Sequence, residues 1–162
     1  MITGFRNRLL SLTGWVLGGV TSSLAIAFSL QSPAIAQAAY GSYIGIGPAF
    51  GDGDLSFAVN GRYNILELPI SIRGAAFLGN GSAFVPTVSY DYPLNFNTEL
   101  YLGAGVAFAS EGSVMGDGTS FVVQPGIDYT ANNNRLVYYG NAIIPIGGDT
   151  STAVQGGVGY QF

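Results

Sequence analysis

The sequence contains no cysteine, no histidine and no lysine, and each absence excludes a kind of chemistry. Without cysteine the chain can form no disulfide and no thiolate metal site, and it cannot carry the cysteine-linked lipid of a bacterial lipoprotein. Without histidine it lacks the commonest general base and metal ligand of proteins. No spacing of acids indicates a carboxylate pair for general acid–base catalysis. We therefore expect no enzyme activity, no metal and no cofactor.

Charge and long apolar runs are also scarce. Charged residues make up 9% of the 162 residues, against roughly 25% in typical globular proteins. Hydrophobic residues make up 48%. Beyond residue 38, however, no stretch is long and apolar enough for a membrane helix, which needs about 20 such residues. The apolar character is therefore spread thinly along the chain.

The first 38 residues differ from the rest. Arg6 and Arg8 precede an apolar stretch, "LLSLTGWVLGGVTSSLAIAFSL", and the segment ends at the small-x-small cleavage site formed by Ala36 and Ala38. This is the layout of a secretory signal peptide. The sequence thus predicts a cleavable signal peptide over 1–38 and one domain over 39–162, with an uncleaved helical anchor as the alternative. The "PAIAQA" ending resembles signal peptides common in cyanobacteria.

The predicted domain is acidic. Residues 39–162 contain three arginines and all nine acids of the chain, which leaves a net charge of −6. A protein that binds nucleic acid needs a basic surface for the phosphates. We therefore expect no nucleic-acid partner.

Apolar and polar residues alternate with a period of two through the domain, which predicts β-strands. Clusters rich in Gly, Asn, Asp and Ser interrupt the pattern, and all are short, so neighbouring strands should pair as hairpins. About ten residues suit a tilted membrane strand. The eight predicted strands are 40–50, 54–63, 67–77, 83–92, 98–109, 119–129, 135–146 and 151–162.

Each predicted strand has one apolar face and one face of small or polar residues. In the second strand Leu55, Phe57 and Tyr63 share the apolar face, whereas Asn60 and Arg62 share the other. A soluble barrel would need a strongly charged exterior, and the polar face here is mostly Gly, Ala, Ser and Asn. It suits a crowded lumen, with the apolar face toward lipid. The pattern predicts an all-β fold, an eight-stranded antiparallel up-and-down transmembrane β-barrel; a soluble secreted ligand-binding barrel is the alternative.

The aromatic residues sort by type between the two ends of the predicted strands. Six phenylalanines fall at one rim, and every tyrosine falls nearer the other, which predicts two aromatic girdles. The turns at the phenylalanine rim hold the acids Asp52, Asp54, Glu111, Asp117 and Asp149. Since the termini and shorter turns of such barrels are periplasmic, we expect this acidic rim to face outside. The predicted phenylalanine girdle consists of Phe50, Phe57, Phe77, Phe84, Phe108 and Phe121.

Five prolines oppose this interpretation, because a closed barrel has no free edge to accommodate them. Four lie toward a rim, where a bulge could absorb the lost hydrogen bond. Pro125 lies in the middle of a predicted strand, and the sequence offers no account of it.

Charged and amide side chains share the predicted lumen face. Buried charges must be paired, and eight strands leave room only for side chains. We therefore predict a network that fills the lumen, with a narrow channel for ions or small solutes as the alternative. The candidate network residues are Asn60, Arg62, Arg73, Asp91, Glu99, Gln124, Asp128, Asn141 and Gln155.

Two turn segments, "GDGDLS" and "EGSVMGDGTS", contain Asp and Gly in the manner of calcium loops. Neither has the closing Glu of the full pattern. Both are predicted to be ordinary solvated turns.

The last eight residues, "QGGVGYQF", carry Gln155, Gly157, Tyr160 and Phe162. This spacing resembles the C-terminal signal of bacterial outer-membrane proteins, which the barrel-assembly machinery reads. With the eight strands, residues 39–162 resemble the small outer-membrane barrels of the outer-membrane protein A and X type. The resemblance implies location in the outer membrane, contact with its lipid, and a structural or surface-interaction role. It does not indicate a particular surface ligand.

Overall fold

The computed structural model describes residues 41–65, 68–132 and 135–162. Eight antiparallel strands follow one another in order, and the last pairs with the first, so that the sheet closes into an up-and-down barrel. The predicted fold class is confirmed. The strands are β1 (Tyr43–Gly51), β2 (Asp54–Asn64), β3 (Ile70–Leu78), β4 (Ser82–Pro93), β5 (Thr98–Ser113), β6 (Gly116–Thr130), β7 (Leu136–Thr150) and β8 (Ala153–Gln161).

The predicted signal peptide and its cleavage site at Ala36 and Ala38 lie outside the described residues. Over the ranges that are described, the chain has no helix long and apolar enough to cross a membrane.

Side chains alternate between the interior and the exterior along each strand, as extended backbone requires. In β2, Asn60 and Arg62 are buried in the lumen, whereas Leu55 and Tyr63 are each 64% exposed on the outside. Every strand of the barrel places apolar side chains on this outer face. The exterior is therefore an apolar surface that runs around the whole barrel.

The predicted loop over 110–118 is wrong, because most of it is strand. β5 continues to Ser113 and β6 begins at Gly116, and these two residues pair with each other. Gly112 and Gly116 have φ angles of 78° and 76°, which only glycine adopts without strain. They allow the chain to turn within two residues. The segment has the polar composition of a loop, but the pairing of β5 with β6 continues into it. In the same way β7 continues to Thr150, through the predicted turn at 147–150.

The prolines within the strands are accommodated by local gaps in pairing on one side. Pro125 pairs with Leu102 of β5, while the pairing of β6 with β7 skips Gln124 and Pro125 without a change of register. Pro48 and Pro86 likewise pair on one side, and pairing skips them on the other. Proline has no N–H to donate to a neighbouring strand. The side on which pairing is interrupted is therefore where each of these prolines lacks a hydrogen bond.

The aromatic girdles form on the outer face, with one phenylalanine and three tyrosines as exceptions. Five of the six phenylalanines predicted for the acidic rim are exposed on the exterior, but Phe77 is 1% exposed and points into the lumen. Tyr43, Tyr101 and Tyr139 also point inward, whereas the other described tyrosines face outward. Phe77 is thus a core residue and not a member of the girdle. Its position at the end of β3 was predicted correctly, but its assignment to the girdle was wrong, because the alternation that directs Arg73 into the lumen directs Phe77 there as well.

The lumen is apolar near the acidic rim, where the predicted face of small or polar residues consists mainly of alanines and larger apolar side chains. Every strand contributes at least one buried residue to this apolar layer, and Val114 and Met115 from the β5–β6 turn complete it. The sequence pattern hides the layer because half of its members are alanines, which also fit a face of small residues. The members are Ala49, Ala58, Ala75, Phe77, Ala83, Val85, Ala107, Val114, Met115, Val122, Ile143 and Ala153.

Candidate functional site

Five charged side chains meet in the lumen near the tyrosine rim, and we call them the ion cluster: Arg62, Arg73, Asp91, Glu99 and Asp128. Each comes from a different strand, β2 to β6 in order. All are almost completely buried. The structure thus brings together all the charged residues that the sequence placed in the candidate network.

The two arginines are direct partners across β2 and β3, an arrangement that would be repulsive by itself. Asp128 lies between them, with its Oδ2 atom 3.3 Å from Nη1 of Arg62 and 3.0 Å from Nη1 of Arg73. Asp91 also bridges the pair, with one oxygen 3.0 Å from Arg62 Nη2 and the other 3.2 Å from Arg73 Nη2. Glu99 Oε1 lies 2.7 Å from Arg62 Nη2. The carboxylates therefore compensate the repulsion between the arginines.

Serine hydroxyls add further hydrogen bonds to the cluster. Nε of Arg62 donates to Ser71 Oγ at 3.0 Å, and Nε of Arg73 donates to Ser89 Oγ at 2.9 Å. Both hydroxyls then donate to Asp91. Buried charges are tolerated when hydrogen bonds satisfy their remaining sites. Ser71 lies two residues from Arg73, and Ser89 lies two residues from Asp91, so the alternation could have indicated that both serines share the lumen face.

Tyrosines enclose the ion cluster on further sides. The Tyr43 hydroxyl donates to Asp128 at 3.0 Å, and the Arg73 guanidinium lies 3.3 Å above the centre of the Tyr101 ring. Tyr43 also stacks on Tyr139, with ring centres 6.0 Å apart. The Tyr101 ring occupies space that a side chain at Gly126 would fill. Small residues in the lumen thus make room for aromatic rings.

The four amide residues of the predicted network do not join the ion cluster through hydrogen bonds. Gln124 accepts a bond from Thr87 at 2.6 Å, and Gln155 donates to Asn141 at 3.0 Å. Asn60 is fully buried, and its side-chain amide has no hydrogen-bond partner among the described residues. The lumen therefore holds one ionic group and separate polar contacts, rather than a single network.

The C-terminal segment closes the barrel. Tyr160 pairs with Ile44 of β1 and Leu136 of β7, and the Phe162 N–H donates to the Ser42 carbonyl at 2.9 Å. Gln155 is buried in the lumen, whereas Tyr160 and Phe162 are exposed on the exterior. Gly157 lies between β1 and β7, where a Cβ atom would overlap the Ile46 carbonyl oxygen. The residues that resemble an assembly signal are thus also those that join the two ends of the sheet.

Two solved structures share this architecture. A designed transmembrane β-barrel aligns with a TM-score of 0.60 and 10% identity, over 76% of this chain and 96% of its own. The outer-membrane protein Ail of Yersinia pestis, in a phospholipid bilayer nanodisc, aligns with a TM-score of 0.54 and 17% identity, over 75% of this chain and 99% of its own. No protein-family profile and no curated protein sequence matches the chain.

These likenesses concern the fold alone. Both similar structures are closed barrels of the kind that crosses membranes, and this chain forms the same kind of barrel with eight strands. The fold is that of the small transmembrane β-barrels. Its lumen is distinguished by an ion cluster toward one end and an apolar layer toward the other.

Proposed function

We propose that this protein is a non-enzymatic barrel of the bacterial outer membrane, with a structural or surface-interaction role and a lumen filled by its own side chains. The observation that carries the proposal is the inverted arrangement of polarity. Paired charges are inside, and large apolar side chains are outside around the whole barrel. Exposed apolar surfaces of that extent mark contact with a membrane or a partner.

The distribution of charge also supports a barrel that crosses a membrane, with the acidic rim on one side of it. The described acids outside the lumen are all at or near the acidic rim, and the barrel wall between the rims has no exposed charge. Outward-facing phenylalanines near that rim and tyrosines near the other provide the aromatic belts that membrane interfaces favour. The apolar wall would contact lipid, and the acidic rim would face the cell exterior.

The location can be tested by expressing the full chain in a Gram-negative host and comparing unboiled with boiled samples of the outer-membrane fraction on a gel. We expect a band there whose mobility shifts on boiling, because a closed barrel resists detergent until it is heated. Recovery in the soluble fraction without a shift would contradict the proposal and favour a soluble ligand-binding barrel.

We further propose that the segment from Gln155 to Phe162 is read by the barrel-assembly machinery. The support is its resemblance to the C-terminal signal of bacterial outer-membrane proteins and the outward direction of Tyr160 and Phe162. Phe162→Ser should greatly reduce the heat-shifted band in the outer membrane. Phe96→Ser, at a fully exposed turn position near the same rim, is the matched control and should leave the band unchanged. Equal recovery of the Phe162 variant would contradict a role in assembly.

A further inference from the structure

The tip of the β5–β6 hairpin, residues 111–116, contacts all three of the other turns at the acidic rim. The Gly81 N–H in the β3–β4 turn donates to the Gly112 carbonyl at 2.9 Å, and the Ser151 N–H in the β7–β8 turn donates to the Met115 carbonyl at 2.7 Å. At the β1–β2 turn, a Cβ atom on Gly51 would overlap the Val114 carbonyl oxygen. The tip is thus held on three sides.

The two residues at the centre of this tip are apolar and point into the barrel. Met115 is 0% exposed and Val114 is 2% exposed, although both belong to a turn at the rim. They pack in the apolar layer to which all eight strands contribute. Two acids are exposed here, Glu111 at the start of the tip and Asp117 directly after it. A solvated turn would present such side chains to water, whereas this one buries its apolar centre and leaves its charges outside.

We propose that the hairpin tip is an apolar lid that seals the lumen at the acidic rim independently of the ion cluster. An apolar constriction excludes ions because they would have to lose their hydration there. The lumen is then closed by two separate barriers, the lid near the acidic rim and the ion cluster near the tyrosine rim. This inference rests on the proposed function in one respect, namely that the acidic rim faces the outside of the cell.

Glycine makes the close approach of the lid possible at Gly81. A Cβ atom there would overlap the Glu111 carbonyl oxygen and approach the Ser113 nitrogen and the Gly112 carbonyl carbon, all of them backbone atoms of the tip. Because the backbone cannot yield as a flexible side chain does, a side chain at this position must displace the tip. Gly81→Leu should therefore lift the lid without changing any residue of the lid.

Access to the lumen can be measured with a single thiol, because the natural chain has no cysteine. Ala49→Cys places the thiol in the apolar layer beneath the lid. In purified, folded protein in detergent micelles, a charged thiol reagent should react with it very slowly. Adding Gly81→Leu should raise the rate by roughly tenfold or more, which corresponds to about 1.4 kcal/mol in favour of lid opening.

The matched control is Gly61→Leu, since a side chain at Gly61 meets no atom within 4 Å. It should leave the thiol protected. A second pair of changes, Val114→Ser with Met115→Ser, keeps the attachments of the lid and removes its apolar filling, and it should also expose the thiol. Fast reaction beneath the unaltered lid would overturn the proposal. So would continued protection in both lid variants, provided that each still shows the heat-dependent gel shift.

Current through planar bilayers tests whether the two barriers are separate. Arg62→Ala with Arg73→Ala should give no current steps while the lid is intact, and steps should appear when Gly81→Leu is added. Steps in the arginine variant alone would overturn an independent lid, and a folded combined variant without steps would overturn it as well. The micelle experiment needs no correct location in the cell, so failure of the lid and failure of the proposed function can be distinguished.

Discussion

Replacing both Arg62 and Arg73 with alanine should lower the free energy of unfolding by several kcal/mol. The change leaves Asp91, Glu99 and Asp128 close together in the lumen without a cation beside them. Removing one side of a buried ion pair costs about 3–5 kcal/mol, because the remaining charge stays desolvated and uncompensated. Urea unfolding in lipid vesicles measures the loss, with the heat-dependent gel shift as the readout of the folded fraction.

Arg135→Ala is the matched control for the arginine variant. Arg135 is exposed at the tyrosine rim and donates to the Tyr160 hydroxyl at 3.1 Å. Exposed polar and ionic contacts contribute about 0–1 kcal/mol, so its loss should be small. If the lumen variant were no less stable than the Arg135 variant, the ion cluster would not contribute to the stability of the barrel.

Phe77→Ala should be the most damaging single substitution in the apolar layer, with a loss of about 3–5 kcal/mol. The ring is 1% exposed and belongs to the same buried cluster as the lid residues and the alanines of the layer. A fixed barrel wall cannot collapse into the space that the ring leaves, so the cost of a cavity adds to the lost burial. Urea unfolding under the same conditions gives the difference.

The matched control here is Phe57→Ala, which removes the same ring from the exterior of β2, where Phe57 is 46% exposed. Lipid can fill the space outside the barrel, so no cavity remains and the loss should be clearly smaller. Equal losses at the two positions would mean that Phe77 does not pack in a closed layer. They would also weaken the case for a sealed lid, since the same layer surrounds Met115.

The ion cluster is nearly balanced in charge, and hydroxyl groups donate hydrogen bonds to its acids. Two arginines face three carboxylates, so the cluster has one more acid than base, and hydroxyls of Ser71, Ser89 and Tyr43 donate to the acids. Replacement of all five charges by apolar residues of similar size could be neutral or stabilising. The presence of the five charges therefore does not by itself indicate that they raise the stability of the barrel above that of an apolar lumen.

The sequence alone determined the eight strands and which face of each strand is apolar. Alternation is a local property of an extended chain, so it can be read from one strand without knowing which strands lie beside it. It placed Arg62 and Arg73 on the lumen side of adjacent strands and Leu55 and Tyr63 on the exterior. Strand ends were less accurate, since pairing with a neighbour extended β5, β6 and β7 through segments with the composition of turns.

Only the tertiary structure decided which lumen residues meet. Tyr43 and Asp128 are 85 positions apart in the chain and share a hydrogen bond, while Gln124 and Asn60 share the predicted face and remain outside the ion cluster. The register of eight closed strands sets these neighbours, and no local pattern encodes it. The same holds for Val114 and Met115, which belong to a polar-looking turn and become core residues only because closure of the barrel creates an interior for them to fill.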